Sequence, residues 1–358
     1  MTRSGVEVAH AGTSRVALTA AGTAVVLVAA ILAGVLIGPV DLGARGVVGE
    51  LLDRLPLISV DSGLDERSAA ILWQIRLPRV VLGLLVGATL SIAGGAYQGV
   101  FRNPLADPYL LGAAAGAGLG ATIVIASDLG GGWGPFDLLP AMAFVGALVA
   151  VGFAYVVGRA NADRAEGGPA AATSLVLAGV AVASLFTAVQ TFVQQRDRDT
   201  VQEVYSWILG RLSTGGWGEV RLLAPFTVVA AAGILAHRRS LDVLAVGDEE
   251  AATLGLRVDR TRLWVVVAAS LGTAAAVSVS GLIGFVGIIV PHSMRLLTGR
   301  SSFRVVLPLA LLGGAAFLVL TDLAARTVME PAEIPIGVVT AVVGAPFFLF
   351  LLTRRPAS

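Results

Sequence analysis

Residues 76–120 read RLPRVVLGLLVGATLSIAGGAYQGVFRNPLADPYLLGAAAGAGLG. Two apolar runs, Val80–Phe101 and Tyr109–Ala126, flank a polar break, Arg102-Asn103-Pro104-Leu105-Ala106-Asp107-Pro108. Neither run holds a charged side chain. About 20 such residues cover the roughly 30 Å hydrocarbon core of a bilayer, so the stretch predicts two crossings. The prolines and the asparagine between the runs cannot continue a helix, and the chain turns there. Gly112, Gly116, Gly118 and Gly120 alternate with alanines in the second run, a composition that lets another backbone approach closely in lipid.

The rest of the chain agrees. Of its 358 residues 56% are hydrophobic and 14% charged, against roughly a quarter charged in soluble proteins. Apolar runs between breakers predict an all-α polytopic membrane protein of about ten spans. They are Val16–Ile37, Val80–Phe101, Tyr109–Ala126, Leu138–Val157, Ala170–Val193, Val220–Ala236, Leu263–Val279, Gly281–Val290, Val305–Ala325 and Ile336–Leu352. Gly281, Gly284 and Gly287 break the seventh from the eighth and predict a hairpin with a short or irregular eighth helix. The first run is long enough to be a span, so no cleaved signal is required.

An even number of spans puts both termini on one side. That side holds 15 arginines and 9 carboxylates, the other 10 arginines and 15 carboxylates. Basic residues favour the cytoplasm, so both termini are predicted cytoplasmic. Residues 1–15 and 353–358 are then tails around a transmembrane domain, 16–352. Residues 38–79, 127–137, 194–219, 326–335 and a turn near Ser280 lie outside, and 237–262 form the largest inner loop.

All 25 residues of the Lys and Arg class are Arg, and there is no Cys. Without Lys there is neither a Walker A phosphate loop nor Schiff-base chemistry. Without Cys there are no disulfides. No HExxH, GxSxG or carboxylate pair accompanies His292 either. No catalytic residue, cofactor or metal is expected on this chain, and any ATP and Mg would be used by a partner. Asp322 is the one carboxylate inside a span, with Arg326 four residues on and hence on the same face. It is either half of a local ion pair or the coupling group of an ion-driven secondary transporter. His292, beside Pro291, reads as a structural hydrogen-bonding group.

Four motifs in order resemble the FecCD-type permeases of ABC importers, which carry iron–siderophore complexes, haem or cobalamin across the bacterial inner membrane. They are Arg76-Leu-Pro-Arg79; Arg102-Asn103-Pro104-Leu-Ala-Asp107-Pro108; Gly281-Leu-Ile-Gly284-Phe-Val-Gly287 with Pro291-His292; and Ile334-Pro335-Ile-Gly337 leading to Thr340 and Gly344-Ala-Pro346. The resemblance spans Trp73 to Leu352. It implies a homodimer, or a pair with a close paralogue, in the cytoplasmic membrane. A cytoplasmic ATPase pair and an extracytoplasmic binding protein would be its partners, besides membrane lipid; nucleic acid would not.

The resemblance also implies roles. Arg76, Arg79 and Arg326 match arginines that dock acidic residues of the binding protein, and guanidinium suits such bidentate recognition. Residues 237–262 match the ATPase coupling loop. They read as two short helices broken at Gly247 and Gly255, with Leu241 in the first and Leu254 near the end of the second. Asp248, Glu249 and Glu250 open that second helix, as suits a helix N-terminus. Thr173 and Ser174 either narrow the inner gate or cap the fifth span. Gln190, Thr191 and Gln194 would line a charge-free pathway. Alternating access driven by the partner ATPase is the implied mechanism, with ferric siderophore the commonest cargo and cobalamin or haem the alternatives.

Overall fold

The computed structural model describes residues 3–54, 62–127, 137–164, 170–195, 198–213 and 215–353. The regular structure among these residues is all helix, because a chain in lipid must satisfy its backbone polar groups internally. In order the elements are α1 (Arg3–Leu36), α2 (Ala44–Asp53), α3 (Glu66–Ala70), a π-helical turn (Ile71–Arg76), α4 (Leu77–Val100), α5 (Ala113–Ala126), α6 (Leu138–Arg164), α7 (Ala170–Gln194) and α8 (Arg198–Ile208). They continue as α9 (Trp217–Ala236), α10 (Arg238–Leu244), α11 (Asp248–Thr253), α12 (Val258–Ser280), α13 (Val286–Thr298), α14 (Phe303–Thr327) and α15 (Ile336–Thr353).

Among the described residues seven helices are long and apolar enough to cross a membrane, and α5, α13 and α15 are shorter apolar helices. Each of the ten expected runs thus carries a helix, but three boundaries differ. Helix α1 begins at Arg3, so the expected tail 1–15 is largely helical. The third crossing is helical only from Ala113, because Asn103 and Asp107 organise the chain before it into successive turns. The eighth helix begins at Val286 rather than Gly281 and runs on to Thr298. The expected outer loops 38–79 and 194–219 contain α2, α3 with its π turn, and α8. Most of 127–137 and all of 354–358 lie outside the described residues.

Helix α4 is the axle. Buried residues make up 83% of its most apolar stretch, against 11% for α1, which is mostly exposed. Around α4 pack α14, α12, α9 and α13. In lipid this association rests on close packing rather than on expelling water. Gly94 shows how close: a Cβ there would collide with the backbone of Gly287. The two polar ends of the bundle differ, one gathered around Arg79 and the other around Asp248.

Candidate functional site

At the first end, the arginines expected to face outward are turned inward. Arg76 is 3% exposed; its Nη1 donates to the carbonyls of Val35 (3.1 Å) and Leu36 (3.2 Å), and its Nη2 to Val40 (2.6 Å). Arg326, equally buried, donates from Nη2 to the Gly34 carbonyl at 2.6 Å. The last carbonyls of a helix have no intrahelical partner and carry partial negative charge. The two side chains therefore cap the C-terminus of α1. Arg79 holds Asp322 through Nε and Nη2 (2.8–3.0 Å) and Glu333 through Nη1 and Nη2 (2.7 and 3.0 Å). Asp322 also lies 3.7 Å from Arg326. It is part of a local ionic network, as the first of the two sequence readings had it. None of the three arginines presents a free cation. Arg79 alone lines an open cleft of about 440 Å³, whose rim carries the exposed Arg211 and Glu333.

The other end has a built platform. Asp242 of α10 accepts from Ser302 Oγ (2.7 Å) and from the Phe303 backbone N–H (2.6 Å), so it caps α14 from a distant part of the chain. Asp248, at the start of α11, accepts two bonds from Arg262 (3.0 and 3.1 Å) and pairs with Arg102 at 3.5 Å. One carboxylate thereby ties α11 to α12 and to the end of α4. Leu241, Leu244 and Ala251 are fully or almost fully buried beneath it. Gly247 has φ +135°, and Gly255 φ +83°, where a side chain would be strained. Between these anchors Val246, Glu249, Glu250, Leu254 and Gly255 are exposed. The two short helices match the expected ones closely.

The middle is irregular. Asn103 Oδ1 accepts from Leu105 N–H (2.9 Å) and Asp107 Oδ1 from Tyr109 N–H (2.8 Å), turns that bring the chain back into the bundle after α4. Pro104 is exposed, whereas Pro108 packs on Gly287. Tyr109 then reaches the second break, 281–285, donating to the Ile283 carbonyl (3.0 Å) and accepting from its N–H (3.2 Å). The non-glycine residues with left-handed φ among those described are Arg102 (+49°) and Phe285 (+69°), one at each break. Such strain persists only where the surroundings impose it. Gly281 (φ +67°) ends α12, and the Arg211 N–H donates to the Ser280 carbonyl beside it. Pro335 leads into α15, and the Gly337 N–H donates to the Leu209 carbonyl. Leu209, Leu282, Gly284, Phe285, Gly337 and Val342 line an open apolar cleft of about 570 Å³. Irregular backbone at membrane depth is tolerated where it is buried or lines a cavity.

The remaining expected residues scatter. Gln190 is buried against Gly118 of α5 and so faces the subunit interior, not an open pathway. Thr191 is exposed and donates to the Thr187 carbonyl; Gln194 is half-buried. Thr173 is exposed and Ser174 half-buried, and both lie inside the first turns of α7 rather than at its cap, since the helix starts at Ala170. Pro291 and Pro346 sit within α13 and α15. The expected hydrogen-bonding role of His292 is not found among the described residues: its Nδ1 has no partner among them, and its ring meets Phe347 edge-on at 6.1 Å.

A model of the FecCD transport family matches residues 26–354. The chain belongs to the FecCD transport family. It is 43% identical over 296 residues to the cobalamin import system permease protein BtuC of Halobacterium salinarum, covering 82% of this chain and 76% of that one. Identity is 36% to the Fe(3+) dicitrate transport system permease protein FecD of Escherichia coli, covering 79% and 85%. It is also 36% to the hemin transport system permease protein HmuU of Yersinia pestis, covering 79% and 84%. A solved inward-facing structure described as a metal-chelate type ABC transporter superposes with a TM-score of 0.78 at 26% identity, over 94% of this chain and 99% of the other. This FecCD protein is an integral membrane permease component of an ABC importer, not itself catalytic. It is expected to work with an ATPase and a substrate-binding protein.

Sequence reading missed Asp242, Arg102, Arg262, Glu333 and Tyr109. Only Arg102 carried a signal, as the first residue of the polar break. The partners of the others lie 60 to 254 positions away, or, as with Asp248 and Arg262, across a turn that no periodicity marks.

Proposed function

We propose that this chain is the membrane pathway of an importer for a large metal chelate, ferric siderophore in the first instance. The Asp248 end would face the cytoplasm and the Arg79 end the delivery protein. The observation that carries this reading is the platform of α10 and α11. Its ionic anchors reach α4, α12 and α14, while apolar Val246 and Leu254 are left exposed, as a surface that must push on a separate motor requires. ATP-driven movement of the platform would tilt those three helices together, and alternating access follows. Lipid-facing and partner-facing surfaces would complete the pathway in a homodimer or a pair with a close paralogue.

The irregular cleft between the 281–285 break and α15 is assigned to the pathway wall, with Thr191 and Gln194 contributing from α7 and Thr173 and Ser174 toward its inner end. Its lining has no charge, which suits passage of a bulky chelate without tight binding. Docking of the binding protein is assigned to the cleft that Arg79 lines and to exposed Arg211, not to Arg76 or Arg326, which are committed to α1. A second cargo, cobalamin, is favoured by the higher identity to the Halobacterium cobalamin permease, 43% against 36% for the dicitrate and hemin ones.

Co-expression with its ATPase, reconstitution in nanodiscs and an ATPase assay test the class. Stimulation by a loaded binding protein supports the importer; activity that follows an ion gradient instead overturns it. Uptake of labelled ferric siderophore, haem and cobalamin by a deletion strain then separates the cargoes.

A further inference from the structure

On one flank of the bundle, the first turns of the apolar part of α1 leave an open groove of about 540 Å³ against α13 and α14. Its walls are apolar. Leu18 and Val26 of α1 and Leu297 of α13 are about half exposed or more, and Phe317 and Leu320 of α14 close the far side. The hydroxyls nearby are internally satisfied: Thr19 donates to the Arg15 carbonyl (2.9 Å) and Thr23 to the Thr19 carbonyl (2.8 Å). Gly22 lines the groove with open space where a Cβ would stand. The lining from Arg15 to Val26 covers about 16 Å at the helical rise. That is one leaflet, half of the roughly 30 Å core.

The mouth is cationic. Arg15 is exposed, and its Nε donates to the Leu297 carbonyl at 2.9 Å, which aims the guanidinium across the end of the groove. Its Nη1 lies beside Gly299, and Arg300, the next residue, is also exposed. Among the described residues neither arginine has a carboxylate within ion-pair distance. A two-fold contact centred on this mouth would bring these arginines together. An apolar slot one leaflet deep under two uncompensated cations fits a different occupant.

We propose that this groove binds one anionic glycerophospholipid, its phosphate on Arg15 and Arg300 and one acyl chain along Gly22. The orientation assumed above puts the mouth in the cytoplasmic leaflet, whose surface potential is negative. The binding itself does not depend on that orientation. The lipid would wedge the weakly packed α1 against α13 and α14, whose C-terminal and N-terminal ends flank the coupling platform.

The test is native mass spectrometry of the full-length chain in mild detergent, titrated with dioleoyl-phosphatidylglycerol or dioleoyl-phosphatidylcholine. The first phosphatidylglycerol should bind at least about fivefold more tightly than phosphatidylcholine, and Arg15→Gln and Arg300→Gln should each remove about fivefold of that preference. Gly22→Leu should abolish the first bound lipid of either class, with unfolding in lipid-free detergent unchanged; Gly22→Ala should act in the same direction more weakly. Equal affinity for the two lipids, or undiminished binding by Gly22→Leu, overturns the proposal. Gly22→Cys supplies the sole thiol of the chain. Its protection from an apolar maleimide by phosphatidylglycerol supports the site, whereas efficient disulfide-linked dimerisation in membranes would put a second copy there and overturn it.

Discussion

The two polar ends of the molecule use the same residue types for opposite purposes. At the Arg79 end the charges are spent inside: Arg76 and Arg326 cap α1, and Arg79 is clamped between Asp322 and Glu333. At the Asp248 end they hold a surface outward, with Asp242 and Asp248 as posts and Val246 and Leu254 presented between them. An arginine at a helix end is therefore not by itself a docking cation. What decides its role is whether unpaired carbonyls or carboxylates lie within its reach. In this protein the carbonyls of α1 do, and they take two of the three candidates.

Substitutions at the two ends can break that contrast. Asp322→Ala should have the largest effect on stability, about 3 kcal/mol, because it strips Arg79 and Arg326 of a buried counter-charge. Thermal unfolding in nanodiscs reads it, and the double variant Arg79→Ala/Asp322→Ala should recover part of the loss. If the single variant is as stable as the parent, the inner network does not staple that end. Asp248→Ala should cost less, about 1–2 kcal/mol, since the carboxylate and its partner Arg102 keep access to water and only Arg262 is left buried. It should nevertheless cut binding-protein-stimulated ATPase activity by about tenfold or more; normal coupling would mean the platform is not held by this carboxylate.

Between the ends, Tyr109→Phe removes both hydrogen bonds to Ile283 and should cost about 1 kcal/mol. Its sharper readout is hydrogen exchange at 281–285, which should accelerate while the α4 core does not change. The smallest stability effect belongs to Leu254→Ser, within about 0.5 kcal/mol because the side chain is 70% exposed. Its association with the ATPase, by contrast, should weaken measurably in co-purification. Arg211→Glu should likewise leave stability alone and lower affinity for the binding protein, whereas Arg76→Glu should damage folding by uncapping α1.

The sequence by itself determined the membrane setting, the ten apolar helices, the pair of short helices around Gly247, and the family. Those features are local. Length and apolarity fix a span, glycine and proline fix its ends, and acidic residues after Gly247 fix where α11 starts. Tertiary structure alone decided what the charged and irregular parts do. Arg76 became a cap because the last carbonyls of α1 lie 40 and 41 positions earlier in the chain yet beside it in space. Gln190 turned inward because Gly118 left room for its amide. The 281–285 break is held because the hydroxyl of Tyr109, 174 residues away in sequence, serves both backbone groups of Ile283, whereas the break before α5 is held locally by Asn103 and Asp107. Burial and hydrogen bonding depend on partners brought in from afar, and a single chain read in order does not name them.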